Sequence, residues 1–298
     1  MDNFTLQSPQ FQPYSKPAGA RDRVSGSARP ATLSKAHNCP QTFDRKMKFY
    51  IDGSKVVVTR PHYRYQGKHT CGQRGAIKNF SWQSRRRLMY KMAEISVKSK
   101  PLFVTLTYPD TFPTDPLIWK SDLTKFFKRL KRKYDHAAMM WKLEPQERGA
   151  PHYHLLVWGV PYNELYSFAP QQWYLIAGNN DVKHLKWHYG LLGNGNKHCV
   201  SEIDTWRGVM SYTSKYLGKE CTDGGWGSPG RFWGIKSRDD IPWAELVTAT
   251  LCYHEGFKMM RLMRRYAHIH SRAYQSLTIF CNSPNYWYDR FIDIVKTC

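Results

Sequence analysis

The chain has 298 residues, of which 41% are hydrophobic and 15% aromatic, enough for one large or two small domains with real cores. Lys and Arg number 45 against 23 Asp and Glu, a formal charge of +22 that favours approach to a polyanion. Nucleic acid is therefore the first candidate partner. An anionic membrane surface is the second, but the sequence offers no basic amphipathic helix with an exposed bulky apolar face and no span long enough for a bilayer.

The N-terminus lacks a hydrophobic signal core, so a cytoplasmic location is expected. The seven cysteines are odd in number and no two stand at CxxC spacing, which argues against a disulfide framework and a zinc ribbon and for reduced thiols in or near the core. Residues 1–100 hold 20 Lys and Arg against 5 Asp and Glu, so the basic excess lies ahead of the motifs described below.

Residues 1–40 are rich in Ser, Pro, Gln and Arg without apolar periodicity and read as a disordered basic arm. Residues 48–60 read as a hairpin, with Asp52-Gly53 suited to a tight turn that needs positive φ. Ser81 or Ser84 caps a helix expected to reach about residue 97, burying Leu88, Met92 and Ile95 and exposing Arg85, Arg86 and Arg87. Residues 102–108 form a strand ended by Pro109 and Asp110. A helix capped by Ser121 follows, with Leu123, Phe126, Phe127 and Leu130 on one side and Lys128 and Arg132 among the cations on the other. Two strands, 138–144 and 152–158, flank a hairpin loop containing Gly149. A short helix is expected over 170–177, another over 205–219, and a glycine-rich loop over 224–234. Beyond it come a basic helix near 256–268 and a late strand near 277–281. The order of strand, helix, two strands and helix predicts an α+β fold with an antiparallel sheet and flanking helices. The expected domains are the arm 1–40, a main domain 41–240 with the hairpin and first helix at its start, and an extension 241–298 of unassigned role.

The sharpest chemical feature is His152-Tyr153-His154. Alternate residues of a strand share a face, so both imidazoles point one way and Tyr153 the other. With 145–151 as the loop, Glu144 lies across from His152 on the partner strand. Two His and one carboxylate suit Mg²⁺ or Mn²⁺ with open coordination positions. Read alone, the histidines are two unrelated strand-end residues and Glu144 an ion-pair partner for Lys142 or Arg148. Glu147, in the loop, is a weaker ligand candidate. In the helix 205–219, Trp206, Met210, Thr213 and Leu217 make the buried stripe. Tyr212 and Tyr216 stand four apart on another face with Lys215 at its border. A nearby cation favours the ionised, nucleophilic phenol; the alternative is an aromatic pair in the core.

Taken in order, Thr105-Leu106-Thr107-Tyr108, His152-Tyr153-His154 and Tyr212-x-x-Lys215-Tyr216 resemble the three motifs of HUH endonucleases. More narrowly, they resemble those of replication initiators from single-stranded DNA phages and related plasmids. Gly149-Ala150-Pro151 ahead of the histidines, and Gly230-Arg231-Phe232-Trp233-Gly234, are similar to stretches of that group. The resemblance spans about residues 80–240. It implies an HUH core, nicking and rejoining of single-stranded origin DNA, and a 5′-phosphotyrosine intermediate. Tyr212 and Tyr216 would be the nucleophiles, Lys215 their assistant, and His152 and His154 metal ligands. Glu144 is added as third ligand from the hairpin register. Arg85, Arg86, Arg87, Lys128, Arg132 and Arg231 are the expected DNA contacts. Gly190 and Gly195 have GxxxxG spacing, but Asn196 stands where a phosphate-binding loop needs Lys. Unwinding is thus expected from a host helicase, among other replication proteins, in a bacterial cytoplasm. An HUH relaxase or transposase, and a non-catalytic basic nucleic-acid binder, are the competing readings.

Overall fold

Leu102–Thr107 (β4) is the strand expected from its β-branched run, and it organises one of two units in the computed structural model. The structure describes residues 31–33, 45–59, 75–193, 195–203, 225–268, 277–280 and 284–296. Its described elements are α+β, two five-stranded sheets with six flanking helices. One unit comprises residues 1–51, 55–64 and 246–298, and the other residues 52–54 and 65–245.

In the larger unit, β4 pairs with Pro151–Trp158 (β6), which pairs with Ala138–Pro145 (β5). The short strands Val200–Ser201 (β7) and Trp233–Lys236 (β8) complete the order β7-β4-β6-β5-β8, antiparallel throughout. The hairpin between β5 and β6 closes at Gln146, whose N–H donates to Ala150 O at 2.9 Å, and Gly149 there takes φ 78°. Tyr153, Leu155 and Val157 join Leu106, Met139 and Leu143 in a core under the helices Pro116–Lys133 (α2) and Tyr162–Ala177 (α3). The other face buries Ala138, Met140, Leu156 and Trp158 against Phe80, Leu88 and Met92 of the segment around Trp82–Met92 (α1). Between these layers β6 is the central strand, covered on both faces.

Three expected helices have other boundaries. α1 is capped by Ser81, which accepts from Ser84 N, but it stops at Met92. Beyond it, Ile95 bridges Trp243, Ser96 N donates to Pro242 O and Ala244 N donates to Glu94 O, so strand-like pairing takes the backbone groups a longer helix would use. α2 starts at Pro116 rather than after Ser121, because Asp115 accepts from Leu117 N at 2.9 Å and Pro fits the first helical position. α3 begins eight residues before Pro170, which sits inside it; Leu165, Ala169 and Trp173 form its buried stripe. Val182–His188 (α4), capped by Asp181, follows where the sequence predicted no element. The helix expected over 205–219 lies outside the described residues. The glycine-rich segment is described from residue 225, and β8 begins inside it.

Gly159 ends β6 with φ 73°, and a Cβ there would run into the carbonyl oxygen of His136. Gly159→Ala is expected to cost about 2–4 kcal/mol, read as a lowered urea midpoint, since both the left-handed backbone and the clash oppose it. An unchanged midpoint would mean that the 134–137 turn gives way freely.

The smaller unit carries the hairpin Arg45–Ile51 (β2) and Lys55–Thr59 (β3), whose turn has φ 58° at Asp52. Its sheet order is β1-β9-β2-β3-β10, where β1 is Ala31–Leu33, β9 is Glu245–Leu251 and β10 is Leu277–Phe280. The β1–β9 pair is parallel and the hairpin and β10 pair antiparallel. The hairpin placed by sequence ahead of the main domain thus shares its sheet with strands from beyond residue 244. Residues 31–33, expected within a disordered arm, form a strand because β9 offers them an edge. Tyr253–Tyr266 (α5) and Pro284–Lys296 (α6) supply Met259, Met260, Met263, Trp287 and Phe291 to a core with Met47, Phe49, Val56 and Leu277. Cys199, buried, and Cys252, partly so, are free thiols, as the cysteine count led one to expect.

Candidate metal centre

In the ladder, Glu144 is the register partner of His152, and Thr107 faces His152 from the other side. The expected juxtaposition is therefore present: one carboxylate and two imidazoles stand on one face of the central three strands. The face is opposite to the one that Tyr153 enters. One candidate ligand atom from each of Glu144, His152 and His154 lies within 4.8 Å of the other two. The imidazole rings of His152 and His154 have centroids 4.4 Å apart at 78°. Glu147 is exposed in the hairpin turn and takes no part in the cluster.

Hydrogen bonds hold the carboxylate. Glu144 Oε1 accepts from His154 Nε2 at 2.6 Å and Oε2 accepts from Lys142 Nζ at 2.7 Å. The two sequence alternatives for Glu144, cluster member or ion-pair partner of Lys142, are thus both realised. Burial pushes the Glu144 carboxyl up, but the hydrogen bond and charge of His154 and then Lys142 outweigh it and hold it down at about 2. The carboxylate is ionised at neutral pH. His154 also stacks on Phe103 at 5.7 Å.

His152 completes the donor set. Its Nδ1 is shut away from solvent and has no hydrogen-bond partner among the described residues. Burial, followed by the nearby His154, pushes its pKa down to about 3, so it is neutral and its lone pair is available. A buried nitrogen acceptor left unsatisfied is costly in isolation, and a cation between it and Glu144 would satisfy it. One carboxylate and two neutral nitrogens fit a divalent cation, and the cluster can hold a metal ion.

Two residues missed in the sequence brace this site. At the outer edge of β4, β7 pairs only with Phe103 and Val104, with Cys199 O accepting from Thr105 N at 2.8 Å. Beyond that point, α4 replaces a strand. Thr107 N donates to His188 Nε2 at 3.2 Å, while His184 Nε2 donates to Thr107 O at 2.8 Å. His188 Nδ1 donates in turn to His184 O at 2.9 Å, which selects its tautomer. Burial pushes both histidines down, His188 to about 3, and keeps them neutral. The readable signal was Asp181 as a helix cap followed by histidines four apart. Arg148, in the turn, donates to Pro109 O at 2.8 Å and to Tyr108 O, tying the hairpin to the end of β4. Trp226 Nε1 donates to Gly149 O at 2.7 Å, so the glycine-rich segment docks on the same turn.

The other expected site residues divide. Tyr212, Lys215 and Tyr216 lie outside the described residues. Of the α1 arginines only Arg87 is exposed. Arg85 donates to Phe80 O at 3.1 Å and Arg86 to Tyr90 Oη at 2.7 Å, so both are half-buried rather than presented to solvent as expected. Lys128 and Arg132 are exposed on α2, in the layer opposite the metal cluster. Arg231 is exposed, with its carbonyl accepting from Lys120 Nζ. In the adjoining strand, Gly234 abuts the Trp141 indole, where a Cβ would come within 2.8 Å, and this gives Gly230-Arg231-Phe232-Trp233-Gly234 a packing reason for its last glycine.

Residues 101–221 match the replication-associated protein ORF2 family. The matched span begins at β4, contains Glu144, His152 and His154, and runs past Tyr216. It supports a replication initiator, and with it a DNA-binding role. Neither a curated protein nor a solved structure matches the chain. No helix among the described residues is long and apolar enough to cross a membrane.

Proposed function

We propose that the chain starts rolling-circle replication by nicking and rejoining single-stranded DNA at an origin, as an HUH-type initiator working through a 5′-phosphotyrosine. The observation that carries the reading is the Glu144–His152–His154 cluster inside the span matched to replication-associated proteins. Glu144, His152 and His154 would hold Mg²⁺ or Mn²⁺, which when bound supplies positive charge to a phosphate oxygen. Tyr212 or Tyr216 supplies the nucleophile. Its phenolic oxygen forms a bond to phosphorus as the bond from phosphorus to the 3′ oxygen breaks, and the phenolic proton ends on the freed 3′-OH. Lys215 favours the ionised phenol. Two tyrosines let one hold the 5′ end while the other makes the second cut. Ligation is the reverse exchange.

Arg87 stands on the layer that carries the cluster and is the cation best suited to a strand crossing it. Lys128 and Arg132 would meet DNA only where it passes behind the sheet, and Arg231 beyond β5. Unwinding falls to a host helicase.

The test incubates the protein with labelled single-stranded DNA of its own replicon, in Mn²⁺ and in EDTA, and reads covalent adduct on a denaturing gel. The expected result is an adduct in Mn²⁺ alone, reduced by Tyr212→Phe or Tyr216→Phe and abolished by both together. Tight binding without adduct anywhere on the replicon would favour a non-catalytic binder.

A further inference from the structure

No basic helix with exposed bulky apolar groups was expected from the sequence, yet α5 is one. Its inner side is spent on Met259, Met260 and Met263 in the core of the smaller unit. Its outer side exposes Tyr253, Phe257, Lys258, Arg261 and Arg265. At 3.6 residues per turn these five fall within an arc of about 140°. Tyr253 and Phe257 are 53% and 55% exposed, and their rings lie nearly parallel, 19° apart in plane with centroids at 6.5 Å. The only carboxylate of the helix, Glu255, is buried and accepts from Cys252 N at 2.8 Å as an N-terminal cap. The outer face of the helix thus carries three cations and no carboxylate of its own.

We propose that this face is a second binding site for single-stranded DNA, separate from the metal cluster, in which bases stack on Tyr253 and Phe257 while Lys258, Arg261 and Arg265 follow the phosphates. Exposed near-parallel rings beside a row of cations are the two elements by which sequence-tolerant single-strand binding works. A lipid surface fits less well. A membrane-lying helix needs a broad apolar face to insert, and that face of α5 is already buried in its own core. The choice of DNA over RNA rests on the replication reading. The site itself does not need cleavage, so it would hold the displaced strand whether or not the tyrosines act.

The test uses the full chain and a fluorescein-labelled dT30, which lacks any origin, with affinity read by anisotropy across a salt series. Tyr253→Ala with Phe257→Ala is expected to weaken binding at least tenfold. Lys258→Gln, Arg261→Gln and Arg265→Gln together are expected to lower the salt slope by about 2, near 0.7 for each single-strand phosphate no longer neutralised. All five positions are exposed, and unchanged thermal melting checks that each variant is folded. A dT30 carrying 5-bromodeoxyuridine is expected to photocrosslink to α5. Wild-type affinity and slope in both variants, with no crosslink in α5, would overturn the proposal. So would a loss of binding to phosphatidylserine vesicles with DNA binding intact, and tighter binding of rU30 than of dT30 would overturn the assignment to DNA. Because dT30 is not cut, failure of the adduct assay leaves this result standing, and failure here leaves the nuclease reading standing.

Discussion

His152→Ala combined with His154→Ala is expected to lower metal-dependent adduct formation at least about a thousandfold while leaving salt-sensitive DNA binding in place. The size follows from removing two of the three groups that can hold the cation, where loss of even one fixed electrostatic interaction at a reacting centre costs about 10²–10³ in rate. The retention follows from the charge distribution. Binding rests on Lys and Arg, and the formal charge of +22 is unaltered by removing two neutral imidazoles. Glu144→Gln separates ligand from scaffold in the same assay. It keeps the shape of the side chain and an oxygen for Lys142 but loses the ionised carboxylate, so adduct formation should fall and recover in part at high Mn²⁺. Loss of both cutting and binding in the double histidine variant would instead make the pair structural. That outcome is physically reasonable, because His154 bonds to Glu144 at 2.6 Å and stacks on Phe103 in a buried layer.

The double role of Glu144 shapes this prediction. Lys142 lies 2.7 Å from its carboxylate and is itself buried, so the two charges sit together with little water around them. Lys142→Met would remove the competing cation and leave the carboxylate to the histidines and the metal. Buried pairs of this kind are strongly destabilised when only one partner is lost. Bound metal would then stabilise that variant more than the wild type.

Much of the site was legible because strand periodicity is rigid. Once Leu102–Thr107 and the two strands around Gly149 are recognised, a period of two puts His152 and His154 on one face, and a short loop puts Glu144 opposite His152. The α+β class follows from the same elements. What escaped was set by tertiary partners. Pro170 reads as a helix start because it cannot donate to the preceding turn, but α3 is held by Leu165 and Trp173 in the core and simply carries it. β9 and α6 escaped because their partners, the hairpin and β10, lie far away in sequence. Arg85 and Arg86 were read as solvent-facing because a helix wheel shows only the side of the helix, not that Phe80 O and Tyr90 Oη are within their reach. His184 and His188 escaped because their function is to complete an edge of β4, which no local pattern announces.

That edge gives the last expected result. His188→Ala should destabilise the larger unit by about 3 kcal/mol, from roughly 1–3 kcal/mol for leaving the buried Thr107 N–H unpaired and a comparable amount for the cavity. His188→Gln, which keeps an acceptor, should recover part of it. The same residue makes stability depend on pH. Its folded pKa is held down at about 3 by burial, against an ordinary 6.5 when unfolded, so between these values the unfolded chain binds more protons. Its contribution is therefore complete above pH 6.5 and is lost as pH falls towards 3, at up to about 1.4 kcal/mol per pH unit. His152 acts in the same direction over the same window. Glu144, held at about 2 against 4.5, adds its loss only below pH 4.5. Urea denaturation in EDTA at pH 7.0 and 5.5, followed by tryptophan fluorescence, should show a steeper loss for the wild type than for His188→Gln, because glutamine does not titrate. Equal slopes in the two proteins would mean that His188 is not held neutral against Thr107, and the strand-replacing role of α4 would fall with it.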